Sequence, residues 1–225
     1  MQEPSETPLE HLDLAPEQGP ARAAVIWLHG LGADGHDFAP LFRGIGNRLP
    51  GVRVLLPHAP EQPVTINGGM RMRAWYDVVN PDLTVEPDLA GIHRSARAVE
   101  RLVEMLESAG IPAERTVIGG FSQGALVALW TGLGLSRSLA GIAGLSGYLP
   151  AEPPLAEVQK ETPIFLGHGR HDGIVPFPEG EAARDRLRAL GCREPVWHPY
   201  SIDHGVNADE ADDLLAWVGA VLRGQ

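Results

Sequence analysis

The sequence predicts an α/β fold, a mostly parallel central sheet with helices on both faces. Two observations predict it. Short apolar runs alternate with longer helical segments from residue 23 to the end. Runs such as Ala23–Leu28 and Val52–Leu56 are apolar at nearly every position, as strands buried on both faces must be. A length of 225 residues suits one domain around one core.

The elements follow in order. Residues 1–20, rich in Pro and Glu, read as a loosely ordered lead-in, within which His11–Leu14 can add an edge strand. Residues 21–225 read as a single domain. Ala23–Leu28 is a buried strand that ends at His29-Gly30. Asp37 to Leu49 reads as a helix, and Val52–Leu56 as a second strand stopped by Pro57. Pro57–Pro87 shows no clear period, and irregular segments of that length tend to be functional. Leu89–Ser108 is the clearest helix. Ile92, Ala96, Val99, Leu102, Val103 and Leu106 share one face, and Gly110 stops it. Then come strand Thr116–Gly119, helix Gln123–Leu133, strands Leu139–Leu145 and Pro163–Gly167, and helix Glu179–Leu190. Strand Pro195–Tyr200 and helix Asp209–Leu222 close the chain.

Composition narrows the function. The formal charge of −11 repels phosphate backbones, so nucleic acid is not an expected partner. Residues 1–20 hold five acids and no Lys or Arg, so no signal peptide is expected. Residues 117–136 carry no charge, but their five glycines make them a strand, a turn and a helix rather than a membrane span. The single cysteine, Cys192, forms no internal disulfide and fits a reducing, cytoplasmic setting.

Gly120-Phe121-Ser122-Gln123-Gly124 is a G-x-S-x-G pentapeptide, preceded by an apolar strand and followed by a helical run. The strand-to-helix turn it marks is too tight for side chains at its flanks, and it stands the serine hydroxyl above the sheet. A solvated serine in a glycine-rich turn is the bland alternative. Gly144-Leu145-Ser146-Gly147 resembles the motif but leads into no helix.

A serine hydroxyl needs a general base. On an α/β-hydrolase scaffold the chain order is serine, acid, histidine. His198 and His204 are the histidines that remain once an acid near residue 172 is passed. His198 lies inside a strand pattern, whereas His204 lies in a loop at the sheet's edge, so His204 is the expected base. Asp172, just past strand Pro163–Gly167, is the expected acid, with Asp203 as rival. The oxyanion donors expected for acyl transfer are the backbone N–H groups of Gln123 and of Leu31, in the loop His29-Gly30-Leu31-Gly32. His29 is expected to pack and orient that loop rather than react.

These residues resemble the phospholipase/carboxylesterase family, which includes bacterial carboxylesterases and eukaryotic acyl-protein thioesterases. The resemblance runs from about residue 20 to the end. It is carried by Val25–Gly32, Pro57-His58-Ala59-Pro60, Pro63–Asn67, Trp75-Tyr76-Asp77, Gly119–Gly124, His168-Gly169 with Asp172, and His204. It implies an α/β-hydrolase fold, a Ser122–His204–Asp172 triad, Leu31 and Gln123 as oxyanion donors, and no metal or other cofactor. Family members often pair, so a homodimer is also within the resemblance. Two departures are Ala125, where the family usually has glycine, and the basic stretch Gly69–Ala74.

The expected activity is hydrolysis of short- to medium-chain carboxylic esters, small or lipid-like, through an acyl-enzyme. The alternative within the family is a thioesterase or lysophospholipase, and outside it a hydrolase-fold binding protein without catalysis. Nine histidines raise the idea of a metallohydrolase, but there is no H-E-x-x-H, and only His168 and His171 beside Asp172 suggest a metal site. Trp75 and Tyr76 either wall an acyl groove or pack beneath the loop as core.

Overall fold

The structure is a computed structural model that describes residues 9–16, 19–43, 45–82, 87–150 and 158–224. Its centre is a seven-stranded sheet in the order β1-β3-β2-β6-β7-β8-β9. The strands are β1 (His11–Leu14), β2 (Ala23–Leu28), β3 (Val52–Pro57), β6 (Thr116–Phe121), β7 (Gly141–Leu145), β8 (Ile164–Gly169) and β9 (Val196–Tyr200). All neighbours are parallel except β1, which runs antiparallel to β3 at the edge. The sheet therefore begins inside the expected lead-in. Residues 1–8 and 17–18 of that lead-in lie outside the described residues.

Strand β2 shows why the apolar runs lack alternation. Ala24, Ile26 and Leu28 point to one face, into a core with α3 (Leu89–Ser108) and α4 (Gln123–Gly134). Ala23, Val25 and Trp27 point to the other, into a core with Phe42, Leu214 and Val218. Helix α3 has the expected bounds. The Asp88 side chain caps it by accepting from the Gly91 N–H, and Ile92, Val99, Leu102, Val103 and Leu106 are buried along it. Helices α5 (Phe177–Ala189) and α6 (Ala208–Arg223) complete the covering layers.

Two expectations fail locally. The helix expected over Asp37–Leu49 is two single turns, α1 (Ala39–Phe42) and α2 (Ile45–Arg48). Arg43 between them is extended, with φ −64° and ψ 127°. Gly46, a poor helix former, is the second residue of the second turn. The irregular Pro57–Pro87 segment contains a hairpin, β4 (Glu61–Val64) paired antiparallel with β5 (Met70–Arg73). Both strands are mostly exposed or half-exposed, so neither carries the apolar signature of a core strand. Residues 83–86 of that segment lie outside the described residues.

One buried acid is out of keeping with this core. Glu210, in the first turn of α6, is 0% exposed. Its Oε1 fills the space beside Gly167 of β8, where an added Cβ would sit 2.3 Å away. Among the described residues neither carboxyl oxygen has a hydrogen-bond partner. Burial, and then the charge of Asp213, push its pKa up to about 8. An unfolded glutamate ionises near ~4.3. Between those values the folded chain keeps a proton that the unfolded chain has released, so stability falls as pH rises through that window. Glu210→Gln removes the titration at nearly constant volume. Thermal melts should show the variant gaining on the parent protein steadily from pH 5 to pH 8. A Tm difference that stays constant across this range would contradict a neutral, buried Glu210.

Candidate active site

The sheet order sets the place of the site. Strand β2 has β3 on one side and β6 on the other, and the chain crosses over β2 to reach β6. Parallel sheets open a crevice at the carboxyl ends of the strands where the order reverses in this way. The loops after β2 and β6 meet there.

The loop after β6 is a single residue. Ser122 links β6 to α4 with φ 55° and ψ −117°, a left-handed backbone that a side chain adopts only under strain. Its N–H donates to the Leu145 carbonyl at 2.8 Å, which extends the ladder to β7. Two glycines make the turn fit. A Cβ on Gly120 would lie 2.4 Å from the Gly124 carbonyl, and a Cβ on Gly124 would lie 2.4 Å from the Leu28 oxygen and 2.6 Å from the His29 oxygen.

The three residues expected to act together do meet. His204 Nδ1 lies 2.7 Å from Asp172 Oδ2, and His204 Nε2 lies 3.0 Å from Ser122 Oγ. A carboxylate can only accept, so Nδ1–H donates to Asp172. Nε2 is then left to accept the Ser122 hydroxyl proton. Asp172 Oδ1 accepts the N–H groups of Ile174 and Val175 at 2.9 and 2.8 Å. Its side chain is wholly buried, while that of His204 is 17% exposed. The acid and base loops are sewn together: the Arg170 N–H donates to the Tyr200 carbonyl and the His171 N–H to the Ile202 carbonyl. The Phe121 ring packs on the His204 imidazole at 4.7 Å between centroids.

The rival assignments separate in space. His198 is half-exposed and faces Asp213 at 3.4 Å. His168 is buried, its Nε2 donating to the Val175 carbonyl at 2.9 Å, whereas exposed His171 meets Ser201 Oγ, so the two do not form one metal site. Burial holds the His168 pKa below its usual value. Asp34, His36 and His58 bring donor atoms within 4.8 Å of one another. There the Gly35 N–H occupies His58 Nδ1, which leaves the ring proton on Nε2, and His36 is bonded to Asp34. His29 has the expected structural part: Nε2 accepts the Ala59 N–H, Nδ1 donates to the Gly30 carbonyl, and burial depresses its pKa.

A cleft of about 650 Å³ opens at Ser122 and His204, within the range of small-ligand sites. Leu31, Phe38, Phe121, Ile174 and Val206 supply its apolar wall. Gln123 is the first residue of α4, and first-turn N–H groups have no acceptor inside their own helix. The expectation that Trp75 and Tyr76 wall the groove is corrected. They are 1% and 2% exposed and neither lines this cleft. Their polar atoms find partners inside the core, Trp75 Nε1 on the His29 carbonyl and the Tyr76 hydroxyl on that of Tyr148. Of the wall residues, Phe121, Ile174 and Val206 are missed by sequence reasoning. Their one signal is nearness to the motifs, Phe121 beside Ser122, Ile174 two past Asp172 and Val206 two past His204.

A model of the phospholipase/carboxylesterase family matches residues 9–219. Acyl-protein thioesterase 1 of Yarrowia lipolytica is 39% identical over 212 residues, 88% of this chain and 93% of the relative. Acyl-protein thioesterase 1 of Neurospora crassa is 41% identical over 214 residues, 89% and 87%. The crystal structure of Arabidopsis thaliana SOBER1 superposes with a TM-score of 0.82 at 31% identity, covering 90% of this chain and all of that one.

The elbow geometry makes a prediction. In Gly124→Ala the methyl cannot avoid the Leu28 and His29 carbonyls, so α4 or the loop after β2 must move. A displacement of that order costs roughly 10²-fold in turnover. Circular dichroism should show the fold kept while kcat falls. A variant with parental kcat would show that the turn has slack.

Proposed function

The chain belongs to the phospholipase/carboxylesterase family, and from that premise we propose that this serine hydrolase cleaves acyl thioesters through an acyl-enzyme on Ser122. The observation that carries the chemistry is the hydrogen-bonded chain from Ser122 Oγ through His204 to buried Asp172.

The geometry gives each group a task. As Ser122 Oγ attacks the acyl carbonyl, its proton passes to His204 Nε2. Asp172 holds the ring in the needed tautomer and offsets the imidazolium charge. The Leu31 and Gln123 N–H groups take the oxyanion of the tetrahedral intermediate. His204 then returns the proton to the departing sulfur, and the thiol leaves. A water gives its proton to His204, attacks the acyl-serine, and releases the carboxylic acid and free Ser122.

The sequence reading prefers oxygen esters. The relatives favour its thioester alternative, since two of them, spanning nearly the whole chain, are named acyl-protein thioesterases. The cleft suits an acyl chain, because each methylene buried against its apolar wall contributes about 0.8 kcal/mol. Ile174, 65% exposed at the rim beside Asp172, adds apolar surface where such a chain would enter.

Two measurements test this reading. Ser122→Ala should fold and lose roughly 10⁴- to 10⁶-fold in kcat, and a fluorophosphonate should label Ser122 in the parent protein only. Near-normal turnover by the alanine variant would remove Ser122 from the chemistry. For specificity, a peptide S-acylated on cysteine should be compared with the same peptide O-acylated on serine. The thioester should win by about tenfold or more in kcat/KM, which is ~1.4 kcal/mol. Equal or reversed rates would restore the oxygen-ester reading.

A further inference from the structure

The segment that sequence reasoning leaves unassigned, residues 58–76, touches both halves of the oxyanion site. On the elbow side, the Trp75 N–H donates to Gln123 Oε1 at 2.8 Å, and Gln123 Nε2 donates to the Tyr76 carbonyl at 2.8 Å. On the side of the loop after β2, the Trp75 indole N–H donates to the His29 carbonyl at 2.8 Å. The Trp75 carbonyl in turn accepts the Ser95 hydroxyl of α3. The same segment holds the loop at further points. The Gly32 N–H donates to the Arg73 carbonyl at 2.9 Å, and the Ala59 N–H donates to His29 Nε2 at 3.0 Å.

Leu31 lies between these tethers, in a loop whose Gly30 and Gly32 leave the backbone otherwise free. An oxyanion donor must stand 2.7–3.1 Å from an oxygen that exists only in the transition state, so a loose loop forfeits most of its effect. Trp75 is the residue bonded to both sides at once. We infer that Trp75 is a positioning residue for the oxyanion hole: its indole N–H on the loop after β2 and its backbone N–H on the Gln123 side chain fix the spacing of the two donors. Its burial, which rules it out as a groove wall, is what allows it to act as a strut.

The inference rests on reading Leu31 and Gln123 as the oxyanion donors. The test uses Trp75→Phe, which deletes the indole N–H, with kcat and KM measured on a soluble acyl thioester per fluorophosphonate-titrated site. An alkyl boronic acid, whose adduct on Ser122 places an oxygen in the hole, reports the hole directly. The strut predicts a fall in kcat of roughly 10- to 100-fold, with KM little changed. It also predicts boronate affinity falling in step with kcat/KM, and a pH–rate profile that keeps its midpoint, because the triad is untouched. A merely structural role would lower the titrated fraction and Tm but leave kcat per site and boronate affinity within about twofold of the parent, and that result overturns the inference. Should Trp75→Phe not fold, Gln123→Met cuts the strut from the other side while keeping the Gln123 backbone N–H, and the same readouts decide. Failure of the underlying reading would appear in the parent protein, as boronate that does not bind at Ser122. Failure of the strut would appear only in the variants.

Discussion

The first turn of α4 rests directly on the carbonyl end of β2, and the rest of the site depends on that contact. Only a residue without a side chain permits it, since the Leu28 and His29 oxygens occupy the space a Cβ at Gly124 would need. The contact brings the start of α4 and the loop after β2 together, which is the condition for two N–H groups from different loops to serve one oxygen. It also forces Ser122 into a left-handed backbone, a strain of order 1–3 kcal/mol. The strain persists because both sides of the turn are anchored. The β6–β7 ladder continues through the Ser122 N–H, and the residues of α4 from Gln123 to Leu133 are buried.

The acid and base are held by a different device. Their loops follow β8 and β9 at the far side of the crevice, where backbone hydrogen bonds cross from residues 170–171 to residues 200–202. Asp172 spends one oxygen on two N–H groups of its own loop and keeps the other for His204. A buried carboxylate without such donors would be costly. Glu210 illustrates the contrast. Equally buried but without donors among the described residues, it keeps its proton at neutral pH. Two buried acids in one domain thus sit in opposite hydrogen-bond environments.

The fold and the triad are legible in the sequence, since they leave local traces. Strands buried on both faces read as unbroken apolar runs, α3 reads as a one-sided apolar helix with its cap and stop, and the elbow reads as glycines around a serine. Chain order, together with a place in the loop just past a strand, separates Asp172 and His204 from their rivals. Where the reading fails, the trace is missing. A surface hairpin buries no face and so carries no period, and the break in the helix after residue 37 comes from an extended Arg43 between two single turns.

The sequence by itself determined the fold class, the elbow and the identity of the three residues in the relay, because periodicity, glycine spacing and chain order are properties of neighbouring residues. Only the tertiary structure decided what lines the cleft and what Trp75 does. Its partners, His29 and Gln123, stand 46 and 48 residues away along the chain. A buried hydrogen bond across that distance depends on how whole layers pack, and an aromatic residue in an irregular segment reads alike whether it faces a ligand or the core.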